Sequence, residues 1–351
     1  PVRDSKKDLL TEFHMDIAAS IQDVTEKVII KLVKNLHKIY KIENLCLAGG
    51  VALNCVVNGK ILKENIFKNI WIQPASGDSG TSIGAALYYW HNELRNKKII
   101  SKNDTMRGSF LGPSYNSEEI YNDLVSLKAK FKYLDENSII SVTAENIANG
   151  KAVGWFSGKM EFGPRSLGSR SILADPRNEN MQKQLNLKIK YRESFRPFAP
   201  SILYEDVKDW FEIDIRSPYM LFVSGVRKDK IIEMTNKEKR LFLIKKLNIK
   251  KSLIPAVTHV DYSARIQTVH KETNPKYYKL IKKFKEITGY PILLNTSFNI
   301  RGEPIVCNPK DAFNCFMGTD LDVLVIENYI LFKEDQTKNF NNDYQNSFEL
   351  D

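Results

Sequence analysis

Beyond residue 150 the chain breaks into seven short apolar runs: AVGWF (152–156), APSIL (199–203), YMLFVSGV (219–226), IPAVTHVD (254–261), ARIQTV (264–269), PILLN (291–295) and VLVIENYILF (323–332). Runs of this length, rich in β-branched and aromatic residues and punctuated by Gly, Pro and Asn, predict strands. So many strands among few helical stretches predict an α+β domain over residues 106–333,. NSEEIYNDLVSL and SIISVTAENIANG read as its helices. The first opens with Asn116 three before Glu119, a capping-box start, and Gly150 closes the second.

Residues 1–105 follow a different grammar. Ile17, Ile21, Val24, Val28 and Leu32 step by three or four, so the stretch from His14 to Tyr40 predicts an amphipathic helix. NLCLAGG then reads as a strand, VALNCVVNGKILKEN as a helix, NIWIQP as a strand and TSIGAALYYWHNEL as a helix. This is an α/β order. The glycine loops Gly49–Gly50 and ASGDSG each follow a strand and precede a helix, which places both at the carboxyl ends of a parallel sheet, where such folds bind ligands. The segment reads as a nucleotide or metal platform too short to be whole. KKIISKNDTMRGSFLG at 97–112 marks the boundary, and the polar tail 334–351 reads as flexible,.

The formal charge is +10, which raises the question of nucleic acid,. Residues 227–251 alone hold ten Lys/Arg against three Asp/Glu, +7 of that total. The imbalance therefore comes from one insertion, 227–252. Its Ile231, Ile232, Leu241, Leu243, Ile244 and Leu247 predict surface helix with solvated lysines, a reading favoured over phosphate contact. No apolar run approaches the ~18 residues of a membrane span, and PVRDSKKDLL lacks the apolar core of a secretory signal. A cytoplasmic protein is expected. Cys46, Cys55, Cys307 and Cys315 are widely spaced without a CxxC pair, so buried free thiols are expected rather than zinc or disulfides.

The chemistry concentrates in GKMEFGPRSLGSRSILADPRN at 158–178, with Lys159, Arg165, Arg170, Arg177, three glycines and three serines. Arginine forks, close-approaching backbone and hydroxyls make a cradle for an anion. KYRESFRPFAPS adds Lys190, Arg192 and Arg196 beside Glu193. THVDYSARIQ adds His259, Asp261, Arg265 and Gln267, and LLNTSFNIRGEP adds Asn295, Ser297, Asn299 and Arg301. Each set ends an apolar run, so all can meet in one pocket. Singly, an arginine can pair with Asp175 or Glu193, and a lone histidine is more often structural than catalytic. Together, several arginines converging with Lys159 would repel one another unless a polyanion neutralised them.

GPRSLGSRSILADPRN, YRESFRPFAPS, THVDYSARIQ and LLNTSFNIRGEPIVCNPKDA resemble the carbamoyltransferase family of nodulation-factor and antibiotic biosynthesis. LAGGVALN and QPASGDSGTSIGAAL are similar to the same family upstream, and the resemblance runs from Ile17 to Leu331. It implies the C-terminal half of an actin-like domain over 1–105, then a complete YrdC-like domain over 106–333. In the YrdC-like domain, ATP with Mg2+ and carbamoyl phosphate would form carbamoyl adenylate, releasing pyrophosphate and phosphate. The actin-like domain would pass the carbamoyl group to a hydroxyl of a small-molecule natural product. By the same resemblance Lys159, Arg165, His259 and Arg196 would be catalytic. Glu161, Ser166, Arg170, Arg192 and Arg265 would bind substrate and ATP, with Asn295, Ser297 and Asn299 orienting the carbamoyl amide and carbonyl.

In the actin-like part Gly49, Gly50 and Asn54 resemble the nucleotide-contacting turn, and Asp78 the carboxylate of a site for Fe2+ or a similar divalent ion. The family's two histidines, an HxxxH pair, have no counterpart; His14 and His37 do not correspond. The first half of the actin-like domain, on the same or a separate polypeptide, is therefore an expected partner. Tyr262 stands where the family often has glycine. Two alternatives are a component of threonylcarbamoyladenosine modification of transfer RNA, which the basic insertion would suit but the motifs fit less well, and a non-catalytic nucleotide-binding subunit.

Overall fold

The computed structural model describes residues 11–101, 104–241, 246, 249–337 and 344–349. The first lobe follows the expected order: α1 (Glu12–Tyr40), β1 (Asn44–Leu47), α2 (Cys55–Lys63), β2 (Asn69–Ile72) and α3 (Ser79–Tyr88). β1 and β2 pair in parallel, Asn44 opposite Asn69, so both glycine loops leave carboxyl ends. Val33, Leu45, Val57, Ile61 and Phe67 close a small core. The apolar stripe of α1 faces the other way. Ile17, Ile21, Val24, Val28 and Leu32 are all exposed, and α3 buries no residue. The periodicity gave the helix correctly, but two strands offer too little surface to cover both of its faces.

The second lobe contains α4 (Ser117–Ser126), β3 (Lys132–Tyr133), α5 (Glu136–Ala148), β4 (Val153–Phe156), β5 (Arg170–Ala174), β6 (Ala199–Leu203) and β7 (Phe222–Gly225). It continues with β8 (Ser263–Val269), α6 (Pro275–Thr288), β9 (Ile292–Ser297), α7 (Pro309–Met317), β10 (Val323–Ile326) and β11 (Tyr329–Phe332). The strands form one mixed sheet in the order β3-β11-β10-β4-β5-β9-β6-β8-β7. β4 with β10 and β6 with β8 are parallel; the other pairs are antiparallel. Alternation along β4 sends Val153 and Trp155 to a face covered by α5 and α6, and Phe156 to the face covered by α4 and α7,. Asn116 and Glu119 form the expected capping box of α4.

Several expectations change. IPAVTHVD is not a strand: Pro255–Val257 is a 3-10 turn, because proline cannot donate to a ladder,. VLVIENYILF is two strands folded back at Glu327, whose φ is 49°. RSILA, read as part of the anion loop, is the buried strand β5. Only Cys315 of the four free cysteines is buried; Cys46 is exposed and the others half-buried. Tyr262 has φ 62°, a left-handed position that a glycine adopts without strain,.

Of the insertion, Leu243, Ile244 and Leu247 lie outside the described residues. Its ends are tied by an Ile231–Ser252 bridge, and Arg227, Lys230 and Lys250 pair with Asp229 and Glu179. In the tail, expected to be flexible, Tyr344 folds back to donate a hydrogen bond to Glu303 and packs edge-on against Phe348; residues 338–343 lie outside the described residues. No described helix is long and apolar enough to cross a membrane.

The lobes meet along the edge strand β7. Asn58 of α2 donates to the Leu221 carbonyl at 3.0 Å. Gly59 comes so close that a Cβ there would lie 2.2 Å from the Val223 carbonyl oxygen. Any side chain at 59 would push helix and strand apart.

Candidate active site

The loop between β4 and β5 is held from inside. Glu161 is buried, and its Oε1 accepts the backbone N–H groups of Leu167 at 2.6 Å, Ser169 at 2.8 Å and Arg170 at 3.4 Å. Burial raises its carboxyl above the usual range, against the pull of those donors. The fully buried Arg170 lies over the Phe156 ring, 3.5 Å from its centroid, and donates to the carbonyls of Ser157, Gly158, Ser169 and Pro113. Burial draws this guanidinium down to about 10 even with Glu161 near. Two residues expected to touch substrate therefore build the frame. Gly168 completes it: its φ is 103°, and a Cβ would sit 2.2 Å from the Tyr277 ring.

So framed, the loop holds Arg165 and Ser166 beside the ends of β8 and β9. They enclose a cavity of about 420 Å³ together with Arg192, Arg196, Arg265, Asn295 and Ser297, and with Phe198 and Met220 as apolar wall. Arg192 is fixed by donating to Asn186 Oδ1 at 2.7 Å, and Arg196 by pairing with Glu193 at 2.9 Å. Arg165 Nε, Arg265 Nε, Ser166 Oγ and Asn295 Oδ1 are buried without any partner. Four guanidinium groups around one cavity, two of them with an unpartnered Nε, form an arrangement that an anion would relieve,. Burial first, then Arg265, lowers Arg165 to about 10; burial first, then Arg196, lowers Arg192 to about 10.

Lys159, His259 and Asn299 do not line this cavity. Lys159 is exposed at the start of the loop. His259 is half-buried; burial lowers its pKa, with Asp261 acting against and Arg265 with that shift. Ser297 lines the cavity, yet its hydroxyl accepts from Lys190 Nζ at 3.1 Å and donates to Asn299 Oδ1 at 2.6 Å. Lys190 also donates to the Ser297 carbonyl at 2.6 Å and to Asn299. Asn299 is thus engaged within the frame rather than directed at a ligand. Burial draws the Lys190 ammonium down to about 7.

In the first lobe Asn54 caps α2, accepting from the Val57 N–H at 3.2 Å, and donates to Gln22. Gly49 and Gly50 have open space around them, and Asp78 is exposed at the start of α3. Among the described residues no three His, Cys, Asp or Glu side chains lie together to hold a metal. The described residues by themselves therefore do not make a metal site. The two lobes nevertheless meet at the cavity loop: a Cβ on Gly163 would lie 3.2 Å from the Pro74 carbonyl oxygen.

Sequence reasoning passed over Ser201, buried in a polar network behind the cavity with Gln267 and Asn295. The signal was present: Ser201, Gln267 and Asn295 stand two positions from Leu203, Val269 and Leu293, which face the core under α5 and α6,. Three polar residues at core-facing positions call for mutual hydrogen bonding.

A family model described as carbamoyltransferase C-terminus matches residues 144–333, and one described as carbamoyltransferase N-terminus matches residues 3–87. Uncharacterized protein sll1178 of Synechocystis sp. is 54% identical over 99% of this chain and 57% of its own length. Nodulation protein NolNO of Sinorhizobium fredii is 40% identical over 92% of this chain and 45% of its own. Nodulation protein NolO of Bradyrhizobium diazoefficiens is 40% identical, covering 92% and 55%. The chain spans about half the length of the curated relatives it matches. A structure of full-length HypF in the phosphate- and nucleotide-bound form aligns at TM-score 0.34 and 15% identity over 57% of this chain and 22% of its own, too distant to carry an argument.

Proposed function

The chain belongs to the carbamoyltransferase family, and from that premise we propose that its arginine cavity takes carbamoyl phosphate and ATP and forms carbamoyl adenylate. The observation that carries this reading is the cluster of Arg165, Arg192, Arg196 and Arg265 around one cavity, two of them with buried, unpartnered Nε atoms. Fixed guanidinium groups stabilise phosphate charge as it redistributes, and they do so without reorganising. Carbamoyl phosphate, ATP and one water would give carbamoyl adenylate, pyrophosphate and phosphate. Lys159, at the exposed start of the loop, is the cation available to phosphates that extend beyond the cavity. His259, near Arg265, is the imidazole available for proton transfer.

In this reading the second lobe is the YrdC-like adenylate-forming domain and the first is part of the actin-like transfer domain. The exposed stripe of α1, together with Leu87, Tyr88, Tyr89 and Trp90, is a surface that the rest of the transfer domain would cover. That part would also supply further ligands to a metal ion at Asp78 and the pocket for the acceptor hydroxyl. The chain by itself is then expected to make carbamoyl adenylate but to carbamoylate no alcohol.

Pyrophosphate release from Mg-ATP, with and without carbamoyl phosphate, tests the reading. Release that requires carbamoyl phosphate and falls at least ~100-fold in Arg165→Ala and in Lys159→Ala is the expected result. Release indifferent to carbamoyl phosphate, or none from folded protein, would overturn it.

A further inference from the structure

Residues 344–349, near the C-terminus, lie against the turn that follows β9, and two glycines make room for them. At Gly318, which ends α7, a Cβ would lie 2.2 Å from the Tyr344 ring. At Gly302, whose φ is 82°, a Cβ would lie 2.3 Å from the Glu349 carbonyl oxygen. The Tyr344 hydroxyl donates to Glu303 Oε1, while Glu303 Oε2 accepts the Ile300 N–H at 2.7 Å. The turn 300–303 is thus seated from outside by the tail, and Arg301 stands within it.

Arg301 does not line the arginine cavity, but it touches a residue that acts on it. Its backbone N–H donates to the Lys190 carbonyl at 3.2 Å, and its guanidinium lies 3.6 Å from Glu193 Oε1. The other oxygen of Glu193 takes Arg196, a cavity residue, at 2.9 Å. One carboxylate is shared by two cations. Burial would raise its pKa, yet its own backbone N–H, Arg196 and Arg301 together hold it below the usual range, so it is ionised. Shared in this way, Glu193 leaves net positive charge at this edge of the cavity. With Arg301 withdrawn, it would neutralise Arg196 by itself and repel a phosphate. We infer that Arg301 is a positioning residue for phosphate binding, acting through Glu193 on Arg196, and that residues 344–349 are the strap that holds it in place. The inference rests on the functional reading above in taking phosphate as the ligand of the cavity.

Calorimetric titration of the full chain with inorganic phosphate tests this. Tyr344→Ala removes the ring seated at Gly318, and Gly318→Ala, at φ −82° where alanine is unstrained, displaces it; neither changes a charge,. Each is expected to weaken phosphate binding about three- to tenfold, and Arg301→Gln at least as much. In a Glu193→Gln background no carboxylate remains to turn on Arg196, so the two strap substitutions should change the affinity less than about twofold. Tyr344→Phe, which keeps the ring but not its hydrogen bond, should fall between wild type and Tyr344→Ala, and it serves if the others fail to fold. Unchanged affinity in the folded strap variants, or an equal loss with and without the Glu193 carboxylate, would overturn this inference alone. Wild-type protein that binds no phosphate would overturn the functional reading and this inference with it.

Discussion

Lys190 Nζ lies 2.7 Å from Asn299 Oδ1 and 2.8 Å from the same residue's carbonyl oxygen, clamping the chain just after β9 to the segment that carries Arg192. The clamp has a pH signature. With the folded pKa drawn down to about 7 from 10.5, the unfolded chain binds a proton above pH 7 that the folded chain has released. Stability from this group therefore rises with pH between those values, with a limiting slope of about 1.4 kcal/mol per unit. Urea unfolding at several pH values should show the cost of Lys190→Met growing across that window. Parallel curves for the two proteins would refute it.

Glu161→Ala should cost about 3 kcal/mol, because it leaves the buried N–H groups of Leu167 and Ser169 without their acceptor,. Glu161→Gln, which keeps one acceptor oxygen, should cost less. Phosphate affinity should fall in the same order, since the carboxylate acts by shaping the loop. Unfolding curves paired with phosphate titrations read both quantities.

Arg165→Leu should behave in the opposite way on its own. Removing one of the crowded guanidinium groups should leave the free protein as stable or raise its Tm by about 2 °C. The stabilisation that phosphate adds should largely disappear. A thermal scan with and without phosphate separates the two effects; a lower Tm with an intact phosphate shift would contradict the picture of mutually repelling guanidinium groups.

Gly168→Ala combines a left-handed backbone with overlap on the Tyr277 ring. A loss of about 3 kcal/mol is expected. Loss below 1 kcal/mol in chemical denaturation would mean that α6 yields where the packing says it cannot.

Replacing Ile21 and Val28 on the exposed stripe of α1 with lysine should lower concentration-dependent association, read by sedimentation. Carbamoyl-phosphate-dependent pyrophosphate release should be unaffected, because no residue of that stripe lines the arginine cavity.

Much of this was legible in the sequence. The order of elements in the first lobe followed from apolar spacing, and the convergence of Arg165, Arg192, Arg196, Arg265 and Asn295 followed from polar clusters at the ends of apolar runs. What was not legible is which polar residue turns inward to support the others. Arg165 in the loop and Arg170 at the start of β5 stand five apart, yet Arg170 stacks on Phe156 and Arg165 lines the cavity. Residue type and spacing are alike for both. Only the path of the backbone around Glu161 separates them. Ser297 and Asn299 were likewise read as ligand groups because the buried Lys190 that occupies them lies over a hundred residues earlier in the chain.

The contact of α2 with β7 sets a limit on dissection. Asn58 donates to the Leu221 carbonyl and Gly59 packs closely against that of Val223, so the first lobe serves as a cover for the last strand of a nine-stranded sheet. A fragment begun at the lobe boundary would keep its core but bare that strand, which is then free to pair with its copy in another molecule. Cutting the chain there would produce aggregates rather than an isolated catalytic unit.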